Sequence, residues 1–399
     1  MFSGVARRKA ARAGAAALVV VAMTAMSACT IDNGNGSGDQ QGGSGDPTST
    51  VEKLNPVVSV ADNATDVDPA KPITFEAAPG NTIESATLTN AEGIEVDSKF
   101  NDDRTTWTTN EVLGYGKTYT LEVKSGGDTT ERSFTTVIPN YQASAYVAPM
   151  EGSVVGVGQT IAVRFSSPVS DRNAAQDAIE VKTSPEVEGA FFWVNSQEVR
   201  WRPAEYWKPG TEVEVKANIY GADLGGGMYG MEDAATKFTI GDEVKAVSDD
   251  ATKTVSVYKN GELIRSMPTS MGTSQWPTPN GVYMVGDKHE TLVMDSTTYG
   301  LAYDQGGYKT TVDYAVQMSY SGIYFHAAPW SVWAQGSQNT SHGCLNLSYD
   351  NAKWVYDNMK RGDIVEVKNT EGETLSGYDG LGDWNIPWET WKAGNADQV

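Results

Sequence analysis

Between residues 51 and 140 apolar and polar positions alternate in short runs broken by Pro, Gly, Asn and Asp. Ile73-Thr-Phe-Glu, Ala86-Thr-Leu-Thr, Thr118-Tyr-Thr-Leu-Glu-Val-Lys124 and Arg132-Ser-Phe-Thr-Thr-Val137 follow the two-residue period of a strand with one buried face. Helical periodicity is absent, and the spacing predicts an immunoglobulin-like β-sandwich. Residues 141–242 loosely repeat this layout. Trp107, then Gly116-Lys-Thr before Leu-Glu-Val-Lys, is echoed by Trp201, then Pro209-Gly-Thr before Val-Glu-Val-Lys. A Gly-rich insert at Gly221 to Gly230 predicts a hairpin tip. A third unit at 243–370 opens with two alternating runs about Asn260-Gly261, a strong hairpin signal. β-type segments follow at Gly281 to Val285, Thr291 to Asp295, Ile323 to His326 and Ile364 to Val367. One helix is expected: Ser348 as N-cap, Ala352, Val355, Tyr356 and Met359 on one face, and Gly362 as the stop. The extension at 371–399 carries Trp384, Trp388 and Trp391 around Ile386-Pro387. It is too apolar for a loose terminus and is expected to pack back on the second module or the third unit, with a carbohydrate platform as the alternative.

The fold expected is therefore mainly β: two sandwich modules, a β-rich unit with at least one helix, and an aromatic tail. The first 50 residues read differently. Arg7, Arg8, Lys9 and Arg12 precede a mostly apolar stretch from Ala13 to Met26, too short to span a membrane but right for an export signal over 1–28. It runs into Met26-Ser27-Ala28-Cys29, which resembles a bacterial lipobox with Cys29 as the lipidated residue. The linker 29–50 is rich in Gly, Ser, Asp, Asn and Gln and behaves as a coil of about 25 Å reach. A lipid-anchored protein on the outer face of the cytoplasmic membrane, facing the wall, is the expectation.

Charge narrows the partners. Lys and Arg total 30 against 51 Asp and Glu, a net charge of −21. Without the first 28 residues the balance is 26 against 51, so phosphate backbones are repelled and nucleic acid is not expected as a partner. Two cysteines exclude multi-disulfide scaffolds.

Chemistry concentrates in Ser321-Gly-Ile-Tyr-Phe-His326 and Thr340-Ser-His-Gly-Cys-Leu-Asn346. A lone thiol in an oxidising compartment needs a reason to persist. It could be a small buried apolar residue. Against that, Cys344 follows Ser-His-Gly, with His342 two residues before it and His326 further upstream. An imidazole that accepts a thiol's proton makes it a nucleophile at neutral pH. Gly343 permits the tight turn that presents N–H groups to an oxyanion. His326, His342 and Cys344 could instead hold zinc, but no second ligand pair stands at zinc-site spacing. No metal or cofactor is expected.

The ordered pair His326 and Ser341-His-Gly-Cys344-Leu-Asn346 matches the signature of the L,D-transpeptidase (YkuD-type) catalytic domain. Trp201-Arg-Pro, Trp207-Lys-Pro-Gly, Met267-Pro-Thr-Ser-Met-Gly272, Met294-Asp-Ser, Ala328-Pro-Trp-Ser331 and Gly382-Asp-Trp-Asn-Ile-Pro-Trp388 extend the likeness. Together they resemble the two-immunoglobulin-domain L,D-transpeptidases of mycobacteria. The resemblance implies a cysteine acyltransferase acting on peptidoglycan tetrapeptide stems as donor and acceptor. Cys344 would attack the bond before the terminal D-Ala and the acyl-enzyme would pass to a neighbouring stem, giving a 3→3 cross-link. His326 would be the base, and the N–H groups of His342, Gly343 and Cys344 the oxyanion hole. Tyr308, Met294 and Trp330 would line the substrate cleft, while Ser341 and Asn346 hold the catalytic loop. Carbapenem-type β-lactams are implied as inhibitors. Close relatives often carry Ser after His326, where this chain has Ala327, so a main-chain carbonyl is expected to hold the distal imidazole nitrogen. A thiol L,D-carboxypeptidase with water as acceptor, or a non-catalytic wall-binding lipoprotein, are the competing readings.

Overall fold

The protein is described by a computed structural model covering residues 55–398. The expected export signal, the lipidation site Cys29 and the linker lie outside the described residues. No helix among the described residues is long and apolar enough to cross a membrane.

Alternation produces the expected sheets. In the first module Val57–Val58, Thr74–Glu76, Thr106–Thr109 and Ser98–Phe100 form one sheet. Ala64–Val67, Asp128–Thr136, Thr118–Ser125 and Ile83–Asn90 form the other. The inward residues of both close over Phe75, Leu88, Trp107, Leu121 and Phe134, all fully buried. The second module repeats this with Ala145–Ala148, Ile161–Phe165, Glu198–Pro203 and Gly189–Asn195 facing Val154–Val155, Ala234–Ile240, Glu212–Ala217 and Ile179–Ser184. It also holds a short helix, Arg172–Asp177, capped by the Asp171 side chain on the Ala174 N–H. The alternation does not announce that helix. The Gly-rich insert turns back on itself, Asp223 opposite Tyr229, and does more than cap a hairpin. Its Met228–Gly230 strand pairs in parallel with Tyr141–Ala143. Tyr115 of the first module donates its hydroxyl to the Gly230 carbonyl at 2.8 Å and accepts from the Gly221 N–H at 2.7 Å.

The third unit has two sheets. One runs Glu262–Pro268, Thr254–Lys259, Val244–Asp249, Ile364–Lys368, Gly281–Met284, and the other Lys288–Asp295, Lys309–Gln317, Tyr324–Ala327, Leu345–Leu347. Asn260 and Gly261 both take positive φ, 50° and 84°, which is what the tight hairpin turn demands. The helix Tyr349–Asn358 starts on Ser348 as expected but ends four residues before Gly362. Met359 turns extended and is buried, and the Lys288 ammonium takes up the carbonyls of Tyr356 and Met359 at 2.6 and 2.8 Å. A tertiary cation, not the glycine, terminates the helix.

The second module and the third unit share one core, in which Met284 and Ile364, with Leu381 of the tail, join Val157, Trp201 and Phe238. Backbones touch where they meet. Gly156 and Gly158 donate to the carbonyls of Arg361 and Gly362, each at 2.8 Å, and a Cβ on Gly158 would lie 2.0 Å from the Ile364 Cδ1. The tail closes the joint. Asp383 is buried against Arg200 at 2.8 Å and accepts from the Thr160 hydroxyl at 2.7 Å. Trp391 is fully buried, stacked on Phe192 with centroids 5.0 Å apart, and donates from Nε1 to the Ala190 carbonyl. The Arg202 guanidinium lies 4.5 Å over the rings of both Trp384 and Trp391. The aromatic tail is packing.

Candidate active site

The site is built on one parallel pairing. Tyr324–Ala327 and Leu345–Leu347 run side by side with Phe325 opposite Leu345 and His326 opposite Asn346. Cys344 stands one residue before that strand, two positions from the partner of His326. Both are nearly inaccessible, at 4% each, and both line a cleft of about 240 Å³. Tyr308, Met294, Trp330, Ser341, His342 and Asn346 share its walls. Thr310 and Thr340 complete it; Thr340 opens the motif segment, while nothing in the sequence context of Thr310 marks it.

Burial sets the protonation of the pair. It drives the His326 imidazole down to about 4, opposed by the Ala327 carbonyl, and pushes the Cys344 thiol up to about 12, opposed by the Tyr324 main-chain N–H. Both groups are neutral at pH 7. The Ala327 carbonyl stands 2.9 Å from His326 Nδ1. A carbonyl only accepts, so Nδ1 carries the proton and Nε2 keeps its lone pair. The thiol itself donates to the Gly322 carbonyl at 3.4 Å. Among the described residues it has no hydrogen bond to His326.

The loop before Cys344 is pinned from several sides. Ser341 Oγ donates to the Cys344 carbonyl at 2.6 Å and accepts from the Gly343 N–H at 3.1 Å. Thr278, which the sequence does not single out, donates to the Gly343 carbonyl at 2.7 Å. The Gly343 N–H, expected to face an oxyanion, is therefore already engaged. The N–H groups of His342 and Cys344 make no hydrogen bond among the described residues. Gly343 itself has φ 119°, a conformation glycine adopts without strain. His342 is not turned to the thiol: Nε2 lies 3.1 Å from the Gly306 carbonyl, and the ring stacks on Trp276 at 4.1 Å and meets Tyr308 at 4.9 Å. Burial, and the charge Cys344 would carry as thiolate, hold the Tyr308 hydroxyl above its ordinary range. Asn346 donates to Ser331 Oγ at 3.1 Å, which fixes the Pro329–Ser331 turn carrying Trp330. Trp330 lies roughly parallel to His326, with centroids 6.1 Å apart. Among the described residues no three His, Cys, Asp or Glu side chains are grouped to hold a metal ion.

Comparison with known proteins gives this arrangement a lineage. Residues 243–367 match the L,D-transpeptidase catalytic domain family, and 64–223 match a bacterial Ig domain. L,D-transpeptidase 2 of Mycobacterium tuberculosis (strain CDC 1551 / Oshkosh) is 51% identical over 351 residues, which is 87% of this chain and 85% of that protein. The chain belongs to the L,D-transpeptidase family. L,D-transpeptidase 5 of Mycobacterium tuberculosis (strain ATCC 25618 / H37Rv) is 34% identical over 83% of this chain and 74% of its own length. Among solved structures, the LD transpeptidase LdtMt1 in complex with imipenem superposes with a TM-score of 0.50 at 40% identity. The match covers 58% of this chain and all of that one. This L,D-transpeptidase is mainly β, with its Ig-like region ahead of the catalytic domain.

Proposed function

We propose that this L,D-transpeptidase cross-links peptidoglycan through an acyl-enzyme on Cys344. The observation that carries the reading is a buried thiol and a buried imidazole that line one cleft. The donor is a tetrapeptide stem. As Cys344 Sγ attacks the carbonyl of the third residue, its proton passes to His326 Nε2. The oxyanion forms against the N–H groups of His342 and Cys344. The C–N bond to the terminal D-Ala breaks, and His326 returns the proton to the leaving amine. A side-chain amine of the diamino acid on a second stem then attacks the thioester, giving a 3→3 amide and restoring the thiol. With both partners neutral at rest, proton transfer belongs to the attack itself. The Ala327 carbonyl fixes the tautomer and supports the imidazolium only modestly.

A relative of this fold is solved with imipenem, so imipenem is proposed to acylate Cys344 in the same cleft. The first 50 residues support export and a lipid anchor at Cys29, placing the enzyme outside the cytoplasmic membrane and facing the wall. Mass spectrometry after incubation with a disaccharide-tetrapeptide tests the reaction. Loss of D-Ala with dimer formation is the expected result. Loss without dimer makes the protein a carboxypeptidase, and no change on either the substrate or Cys344 leaves a wall-binding protein.

A further inference from the structure

Residues 314–349 contain no Asp, Glu, Lys or Arg, although 20% of the chain is charged and about seven such residues would be expected in 36. This is the longest charge-free run in the sequence. It supplies much of the cleft wall and continues past it as an exposed ridge. Of eleven tryptophans, Trp330 and Trp333 are the only two exposed among the described residues, at 54% and 70%, with Val332 between them at 49%. The ridge is held out in water by a rigid base. Ser331 and Ala334 are buried, the Ala334 N–H donates to the Ser331 carbonyl, and the Gly336 N–H donates to the Thr269 carbonyl, both at 2.9 Å. Asn346, abreast of His326, holds Ser331 from below. Two indoles fixed in solvent beside a cleft are an interaction surface rather than a packing failure.

The chemistry of that surface selects its ligand. It offers flat apolar faces bordered by the amides and hydroxyls of Gln335, Ser337 and Gln338, with no ion from its own loop to pair with a charged group. A neutral ring with an apolar face and a rim of hydroxyls fits it. We propose that the Trp330–Trp333 ridge stacks a pyranose ring of the glycan strand from which the bound stem hangs. The inference rests on the reading that a peptidoglycan stem occupies the cleft. It adds a subsite for the sugar end of the substrate, with Trp333 contributing to affinity and not to chemistry.

The test compares the full chain with its Trp333→Ala and Trp333→Phe variants on two donors, a free tetrapeptide and the same peptide on its disaccharide. Trp333→Ala should lower kcat/KM on the disaccharide donor about tenfold while leaving the free peptide within about twofold, and Trp333→Phe should retain most of the difference. Equal loss on both donors, or no loss on either, overturns the subsite. Binding is read separately by titration calorimetry of the Cys344→Ala protein with the disaccharide alone. If neither donor turns over but Trp333-dependent sugar binding persists, the reaction reading fails and the subsite stands. Absence of that binding, together with Trp333-dependent capture by phospholipid vesicles, would reassign the ridge to a membrane surface.

Discussion

At rest Cys344 should be a poor nucleophile, which separates this site from thiol enzymes that store a thiolate–imidazolium pair. The perturbation is simple: alkylate the full-length protein with iodoacetamide in the absence of substrate. The thiol is held at about 12 by burial, against about 8.5 for a free one, so its thiolate population is about three thousandfold smaller. A more basic thiolate is also more nucleophilic, and that recovers about fortyfold. The net expectation is labelling about a hundredfold slower than glutathione, before the 4% exposure of Cys344 slows it further. The rate, followed on the Cys344 peptide by mass spectrometry, should rise log-linearly from pH 6 to about 9 with no plateau. His326→Gln should leave this profile unchanged, because the imidazole does not hold the resting thiol's proton. The same variant should slow acylation by a stem peptide about 10²- to 10⁴-fold, the usual worth of a general base. A plateau with an inflection between about pH 6 and 7, abolished by His326→Gln, would refute the neutral pair.

Four further outcomes are expected. The folded value of His326 lies below its unfolded value, so the unfolded chain binds the extra proton first: stability is whole above about pH 6.5 and falls as pH drops toward 4, by about 3 kcal/mol. Urea melts of wild type and His326→Gln across that window should diverge by this amount, and parallel curves would contradict it. Trp391→Ala should cost about 3–5 kcal/mol, read as a lower melting temperature, since a fully buried indole and its hydrogen bond to Ala190 are lost. Ala327→Ser should change the acylation rate less than about tenfold, because the main-chain carbonyl meets the imidazole in either case. Cys29→Ala should abolish labelling by a fatty-acid analogue and release the protein from the membrane fraction; persisting label would place the anchor elsewhere.

Much of this was readable from local pattern. The Asn260-Gly261 turn, the alternating strands and the Ser348 cap are decided by a few neighbouring residues, so sequence suffices for them. Cys344 and His326 stand out in the sequence because thiol and imidazole are rare in this chain and Cys344 follows a polar Ser-His-Gly turn; the structure puts both in one cleft. What stayed hidden depends on partners far along the chain. Nothing near Asp383 says that it meets Arg200, and nothing near Thr278 says that it holds the Gly343 carbonyl. The Gly343 N–H looks free until Ser341 folds back on it. Gly362 looks like a helix stop because the composition is right, yet Lys288 ends the helix first.

The pairing of Lys245 with Ile364 and the clasp of the tail on Arg200 bear on how the chain is born. A strand in the middle of the catalytic sheet must wait for a partner near the far end of the polypeptide. Synthesised or threaded from its N-terminus, the molecule can complete its first sandwich early, while the second lacks its clasp and the catalytic sheet its seam. The thiol belongs to the other sheet, where it clusters with Met294, Val312, Ala315 and Tyr324, all within about fifty residues of it. Burial of the nucleophile therefore does not have to wait for that seam; what comes last is the joint that fixes the catalytic domain on the second module.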